Sequence, residues 1–503
     1  MKTKQLISFI IAPSISLAII LFGDLKHGEP AVTNTLAVAL LMAVWWITEA
    51  VPLAVTSLLP VALFPLLGIM DAKNVSSTYF NNVIFLFMGG FVIALAMQRW
   101  DLHRRIALKI LLTTGVSPGR ILLGFMLATA FLSMWMSNTA TAMMMMPILI
   151  SVIDKLEESI GKQEIKGYSV GLLLGVAYSA SIGGIATLVG TPPNLSFARI
   201  FEIYFPDAPE ITFATWLLFA LPVSIMLFIS AWIYLYYVYN QKKQNWTSVS
   251  KHTFRDQLHE MGPMRYEEKV VLIAFISVAL LWIFRLDLDL GWIKIPGWSG
   301  IFPKSSFLDD GTVAIFVAIV LFIIPSKSAD FKRIMDWEGA TKIPWHIILL
   351  FGGGFALASG IKESGLSTWF GEQLIFVADF NPIVVILSVA LLITFLTELT
   401  SNTATTEMIL PILAGIAIST EINPLFLMLP ATLSASLAFM LPVATPPNAI
   451  IFGTNRVTVS QMAKTGLILN LIGAVIVTVM TYLLGTFVFD INIGEFPDWA
   501  IPK

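Results

Sequence analysis

Apolar residues come in long blocks along almost the entire chain, each able to cross a hydrocarbon core about 30 Å thick. The pattern predicts spans at about 6–23, 35–50, from Pro52 to Gly68, and 82–98. From Arg99 to Leu112 basic and apolar positions mix, as in a helix lying in the interface. The block at 119–153 is too long for one span and is cut midway by Ser137-Asn138-Thr139. Lys155, Lys162 and Lys166 follow it, so the chain emerges on the basic side from which it entered. This predicts a re-entrant hairpin whose unwound tip lies in protein or in a wet cavity. The next span, 170–202, is broken at Gly183-Gly184 and again at Gly190-Thr191-Pro192-Pro193. Two successive prolines remove two amide donors and clash with the preceding turn. A span at about 214–238 then ends in a basic loop.

The second half repeats the scheme. Spans are predicted at 270–284, 311–325 and 345–361, an interfacial segment at 362–380, a hairpin at 382–420, a broken helix at 424–453 and a last span at 465–489. Ser-Asn-Thr-Ala-Thr stands at 137–141 and again at 401–405. Each copy is followed by Thr-Pro-Pro-Asn (Thr191 to Asn194, Thr445 to Asn448) and preceded by a glycine pair (Gly89-Gly90, Gly353-Gly354). The glycine-to-serine spacing is 48 residues in both copies, whereas the serine-to-threonine spacing is 54 in one and 44 in the other. One linker differs between two copies of a unit of about 250 residues.

Each unit makes an odd number of crossings, so the copies sit inverted. The expected fold is an all-α polytopic membrane protein of about 11 transmembrane helices, with two inverted-topology repeats, two re-entrant hairpins and two broken helices. The expected divisions are an N-terminal span at 1–34, a first repeat at 35–240 (hairpin 117–155, broken helix 170–202), a linker at 241–268, a second repeat at 269–489 and a tail at 490–503.

Composition agrees. The chain is 57% hydrophobic and 12% charged, about half the charged fraction of a soluble domain, with a mean hydropathy of +0.83. A net charge of −2 gives no electrostatic basis for a nucleic-acid partner. There is no cysteine, hence no disulfide and no thiolate metal site. The first apolar run lacks a small-residue cleavage site and reads as an uncleaved span. With the N-terminus cytoplasmic, 22 of the 30 Lys and Arg fall on inside segments. That places the protein in the cell membrane with its C-terminus outside.

Helix ends that stop at mid-membrane face one small volume. Their amide ends suit anionic groups, and unwound carbonyls suit a hard cation such as sodium. Ser137, Asn138, Thr139, Ser401, Asn402 and Thr403 offer donors and acceptors without formal charge. Two such tips make a pocket with two anion-binding ends, which fits a dicarboxylate. No Arg or Lys lies in either tip or either broken loop. A dianion therefore needs mobile cations for compensation, and sodium co-transport follows as the expectation.

At these residues the chain resembles the divalent anion–sodium symporter family, which includes the sodium/dicarboxylate cotransporters; the resemblance covers about 35–489. It implies that both Ser-Asn-Thr tips contact substrate carboxylates, together with Thr445 and Pro446. It implies one sodium site at Ser133, Ser137, Asn138 and Gly190, and a second at Thr397, Ser401, Asn402 and Ala444. It also implies a homodimer and elevator-type movement. The expected function is import of C4-dicarboxylates (succinate, malate, fumarate) with sodium, without an organic cofactor, in a lipid membrane. Members that exchange dicarboxylates without sodium share these motifs, so that alternative stands beside it. A sulfate or tricarboxylate carrier and an anion channel fit less well. No H-E-x-x-H, no Ser/His pair within one span and no facing Asp pair supports catalysis.

Other residues have plainer readings. The glycine pairs read as close helix packing, and Met143 to Met146 as flexible apolar filler. Glu49 and His346 fall at span ends and meet water. Glu398 and Glu407 stay open between a structural hydrogen bond and a role in coupling or substrate choice. Asn74-Val75-Ser76 and Asn245-Trp246-Thr247 match the glycosylation pattern but are discounted.

Overall fold

The computed structural model describes residues 3–115, 117–240, 250–289, 293–492 and 494–501. Asn245-Trp246-Thr247 and the start of the expected linker, 241–249, lie outside them. The described chain is helical almost throughout. Its one sheet is a two-stranded antiparallel pair, Leu288–Asp289 with Lys294–Ile295.

Among the described residues, eight helices are long and apolar enough to cross a membrane, from Gln5–Phe22 to Val459–Val488. Shorter apolar helices fill the remaining places, among them Leu53–Leu66, Asp310–Ile323 and the first arms of both hairpins. The third predicted span is one of the short ones. It divides into Leu53–Thr56 and Leu59–Leu66, because Pro60 and Pro65 leave few intact helical bonds. At about 1.5 Å per residue, such a run spans roughly 21 Å, less than a bilayer core.

Helix starts follow local sequence. Asn81 accepts hydrogen bonds from the amides of Val83 and Ile84 and so caps Asn82–Arg99, which carries the first glycine pair. Asn381 and Asn423 cap Pro382–Thr397 and Pro424–Ser434 in the same way, each followed by a proline at the first helical position. Gly161, at φ 104°, makes the abrupt joint between Asn138–Ile160 and Lys162–Ile185, a conformation that costs other residues strain.

Both breaks appear where the prolines place them. The first broken helix is Lys162–Ile185 followed by Pro192–Tyr204, and the second is Pro424–Ser434 followed by Pro446–Phe452. Their first halves form the centre of the protein. The most apolar window of Lys162–Ile185 is buried throughout, and so is every residue of Pro424–Ser434. Tyr178 ties the two together: its hydroxyl donates to the Phe439 carbonyl at 2.9 Å, and the two rings lie 5.0 Å apart.

The glycine pairs do pack helices. A side chain at Gly89 would strike the backbone of Ala314 at 2.6 Å, and one at Gly353 would strike Ser57. Glu49 and His346 are exposed, as their positions at span ends imply. Met145 and Met146 are core, but Met143 is 59% exposed.

The segment Arg99 to Leu112, read as interfacial, forms the helix Leu102–Thr114, and not every basic residue on it is exposed. Arg105 is buried, paired with the equally buried Glu268 at 2.5 Å and donating to the Gly262 carbonyl at 3.0 Å. A second buried pair, Arg285 with Asp310 at 2.7 Å, joins the ends of Tyr266–Ile283 and Asp310–Ile323.

Candidate functional site

Each hairpin turns through four residues. Ser133 ends one arm and Ser137 caps the next, its hydroxyl accepting from the Ala140 amide at 3.2 Å. Ser133 Oγ lies 2.7 Å from both Asn138 Oδ1 and the Ala180 carbonyl. In the second hairpin Thr397 Oγ1 lies 2.7 Å from Asn402 Oδ1 and 2.8 Å from the Ala435 carbonyl. The two arrangements are alike, though the accepting carbonyls lie one position apart in the repeat. A hydroxyl at the end of one arm meets the amide oxygen that begins the next and a carbonyl from the neighbouring broken helix.

The broken loops complete each half. Gly184 packs against the Asn138 side chain so closely that a Cβ there would lie 2.5 Å from Oδ1, and Gly190 packs against Gly184. The Gly190 amide donates to the Thr187 carbonyl at 3.3 Å, as the Ala444 amide does to the Leu441 carbonyl at 3.2 Å. Thus Ser133, Asn138 and Gly190 gather in one half, and Thr397, Asn402 and the Ala435–Ala444 loop in the other. The hydroxyls of Thr139, Ser401 and Thr403 make no hydrogen bond among the described residues. Thr445 accepts from the Asn448 amide at 3.3 Å, and Pro446 is exposed beside it.

Sequence reasoning missed the two asparagines that hold the loops. Asn194 Nδ2 donates to the carbonyls of Gly184, Ile185 and Thr187 at 2.7–3.2 Å. Asn448 Nδ2 donates to those of Ala438 and Leu441, both at 3.0 Å. The reach is ten and seven residues back in each copy. Carbonyls freed by the break are thereby satisfied from the first turn of the following half-helix. The signal was present, since both strings end in Asn.

Glu398 also has a defined place. Its Oε1 accepts from the Phe439 and Met440 amides at 2.7 and 2.8 Å and from Asn470 Nδ2 at 2.7 Å, while Oε2 accepts from the Leu441 amide at 3.0 Å. Three consecutive amides of the second break are thus capped by the protein's own carboxylate. The first copy has Met134 at this place, and there Thr187 donates its hydroxyl to the Met134 carbonyl instead.

The halves are joined crosswise. Pro192–Tyr204 packs against Asn402–Ser419, and Pro446–Phe452 against Asn138–Ile160. A polar pin marks each contact: the Ser196 hydroxyl donates to Glu407, and Arg456 pairs with Asp154 at 2.9 Å and with Glu157.

The two tips differ in cover. Trp135 stacks on Phe213 at 5.8 Å and meets Phe275 edge-on at 4.9 Å. Leu399, at the matching turn position, is 69% exposed, and Val443 of the neighbouring loop is 85% exposed. The first break, by contrast, is buried from Ile185 to Thr191. The difference lies in the breaks, the second being partly exposed from Met440 to Ala444; Ser137, Asn138, Ser401 and Asn402 are partly exposed in both halves. A cavity of about 330 Å³ lies beside the first break rather than at the tips, between Leu188, Phe201, Glu210 and Ser306 to Gly311.

A helical membrane protein whose two hairpins and two broken helices meet in paired, uncharged oxygen cradles is a transporter rather than an enzyme. The chain belongs to the family described as the sodium:sulfate symporter transmembrane region, which matches residues 3–491. It is 43% identical over 496 residues to the Sodium-dependent dicarboxylate transporter SdcS of Staphylococcus saprophyticus, covering 98% of this chain and 93% of that one. It is 44% identical over 499 residues to the protein of the same name from Staphylococcus aureus strain MRSA252, covering 98% and 94%. Among solved structures it is similar to the YdaH transporter of Alcanivorax borkumensis, with a TM-score of 0.54 and 12% identity over 90% of this chain and 98% of that one. At that identity the likeness speaks for the fold alone.

Proposed function

We propose that this protein imports C4-dicarboxylates such as succinate, malate and fumarate together with sodium. The observation that carries this reading is the duplicated cradle, Ser133–Asn138–Ala180 and Thr397–Asn402–Ala435. Each offers hard, uncharged oxygen atoms at one spot, the donor set that suits a small hard cation. Sodium is cargo here, held in one half by Ser133, Ser137, Asn138 and Gly190 and in the other by Thr397, Ser401, Asn402 and Ala444. The substrate carboxylates lie against Ser137, Asn138 and Thr139 at one end and Ser401, Asn402 and Thr403 at the other, with Thr445 and Pro446 closing the second end. The names of the staphylococcal relatives support both cargo and ion.

The buried first break and the partly exposed second break support alternating access, with the crosswise-joined hairpins and broken helices moving as one body against the remaining spans. A homodimer in the cell membrane, N-terminus inside, completes the reading. Uptake of labelled succinate into proteoliposomes tests it. Uptake is expected to require an inward sodium gradient and to be competed by malate and fumarate but not by sulfate. Equal uptake with and without sodium would favour the exchanger.

A further inference from the structure

Two glutamates lie nine positions apart in the second hairpin, and the protein treats them oppositely. Glu398 receives four N–H donors, three from backbone amides and one from Asn470. That is a setting built for an ionised carboxylate, which only accepts. Glu407 is fully buried and has one partner, the Ser196 hydroxyl on its Oε1. Its Oε2 has none and is pressed against Gly354, where a side chain would collide with it. A hydroxyl can donate or accept, so it serves a neutral acid as well as a carboxylate.

No cation compensates Glu407 among the described residues. Pro192–Tyr204 carries Arg199, which pairs with Glu202, and Tyr204, whose hydroxyl donates to the Ala358 carbonyl. Trp345–Glu363 carries His346, exposed at its start, and Lys362 and Glu363 at its end, Lys362 donating to the Ile203 carbonyl. Leu366–Gln373 carries Glu372, and the other helices packed on this arm (Pro30–Thr48, Pro382–Thr397 and Pro424–Ser434) carry no charged residue. None of these groups bonds or pairs with Glu407. An ionised carboxylate buried with one hydroxyl and no cation is strongly disfavoured, and taking up a proton removes the penalty.

We propose that Glu407 is a proton-binding site: the protein holds a proton there, separate from any cargo, and the neutral acid is the form in which the arm Asn402–Ser419 packs on the Gly354 face and on Ser196. The inference needs no assumption about what is transported.

Infrared spectroscopy of the purified protein in lipid tests it. Near neutral pH the carbonyl stretch of a protonated carboxylic acid is expected in the wild type and in Glu398→Gln, and is expected to vanish in Glu407→Gln. A spectrum unchanged by Glu407→Gln overturns the proposal. Stability gives a second reading. Unfolding releases the held proton, so the wild type is expected to lose thermal stability relative to Glu407→Gln as pH rises; a constant difference overturns it. Should Glu407→Gln not fold, a hydrophobic carbodiimide, which adds to protonated carboxyls in apolar places, is applied to the wild type and mapped by mass spectrometry. Modification at Glu407 and not at Glu398 is expected. Modification at Glu398 alone, or at neither, counts against the site.

Discussion

Thr397 Oγ1 and Asn402 Oδ1 lie 2.7 Å apart across the turn of the second hairpin, the same separation as Ser133 Oγ and Asn138 Oδ1 in the first. Each hydroxyl also reaches a carbonyl of the neighbouring helix. With one proton and two acceptors, each can bond only one of them at a time. The other oxygen stays available to a cation.

Removing the hydroxyl should therefore weaken ion binding more than it harms the fold. Thr397→Val is expected to raise the sodium concentration giving half-maximal succinate uptake by about tenfold, for an interaction of about 1.4 kcal/mol, within the range for such a bond. Thr397→Ser should restore most of the affinity. Equal sodium titrations for Val and wild type would remove Thr397 from the site. Asn138→Ala and Asn402→Ala should each nearly abolish uptake in a folded protein.

The loop asparagines should matter for stability. Asn448→Ala leaves the Ala438 and Leu441 carbonyls without their donor and is expected to cost about 1–3 kcal/mol, read as a lower thermal midpoint in detergent. Asn448→Asp should be worse, because it turns a donor among carbonyls into an acceptor. An Asp variant as stable as the wild type would contradict the arrangement.

Trp135 packs the first tip against Phe213 and Phe275 through two ring contacts, each contributing about 0.5–1.5 kcal/mol. Trp135→Ala should shift closure toward opening by about tenfold. The chain has no cysteine, so a single Val189→Cys reports on the buried first break. Its labelling by a water-soluble maleimide should accelerate in the Trp135→Ala background, while Val443→Cys labels quickly in both. Unchanged Val189→Cys labelling would show that the tryptophan does not cover the break.

One pH effect lies outside the spans. The Arg99 guanidinium grips Asp336 with two hydrogen bonds, at 2.8 and 3.0 Å, and holds its carboxyl below the usual carboxylate range. A depressed carboxylate stabilises the fold above its unfolded titration point and loses that contribution as acid protonates it. Asp336 is partly exposed, so the contribution is about 1 kcal/mol at most. Asp336→Asn should lower the thermal midpoint near neutral pH and converge with wild type below about pH 4. A gap that persists in acid would assign the effect to packing instead.

Much of this architecture is legible in the linear chain because lipid punishes exceptions. Prolines at 192–193 and 446–447 cannot lie within intact helices, and Ser-Asn-Thr cannot be repeated at mid-membrane depth without a tip to carry it. What stays hidden depends on partners far away in sequence. Glu398 finds its donors at 439–441 and 470, and Arg105 finds Glu268; no local pattern announces either. The division of the third span at Ser57-Leu58 is hidden as well, because hydropathy reads composition and not hydrogen bonds. The different cover of Trp135 and Leu399 is invisible too, since both are apolar residues at equal places in a repeat.

The hydrogen bond from Tyr178 to Phe439 bolts one discontinuous helix to the other at the core of the molecule. A phenol lodged there turns the pair of interruptions into a single cartridge. In the transport cycle proposed above, the two halves would therefore travel together rather than be prised apart.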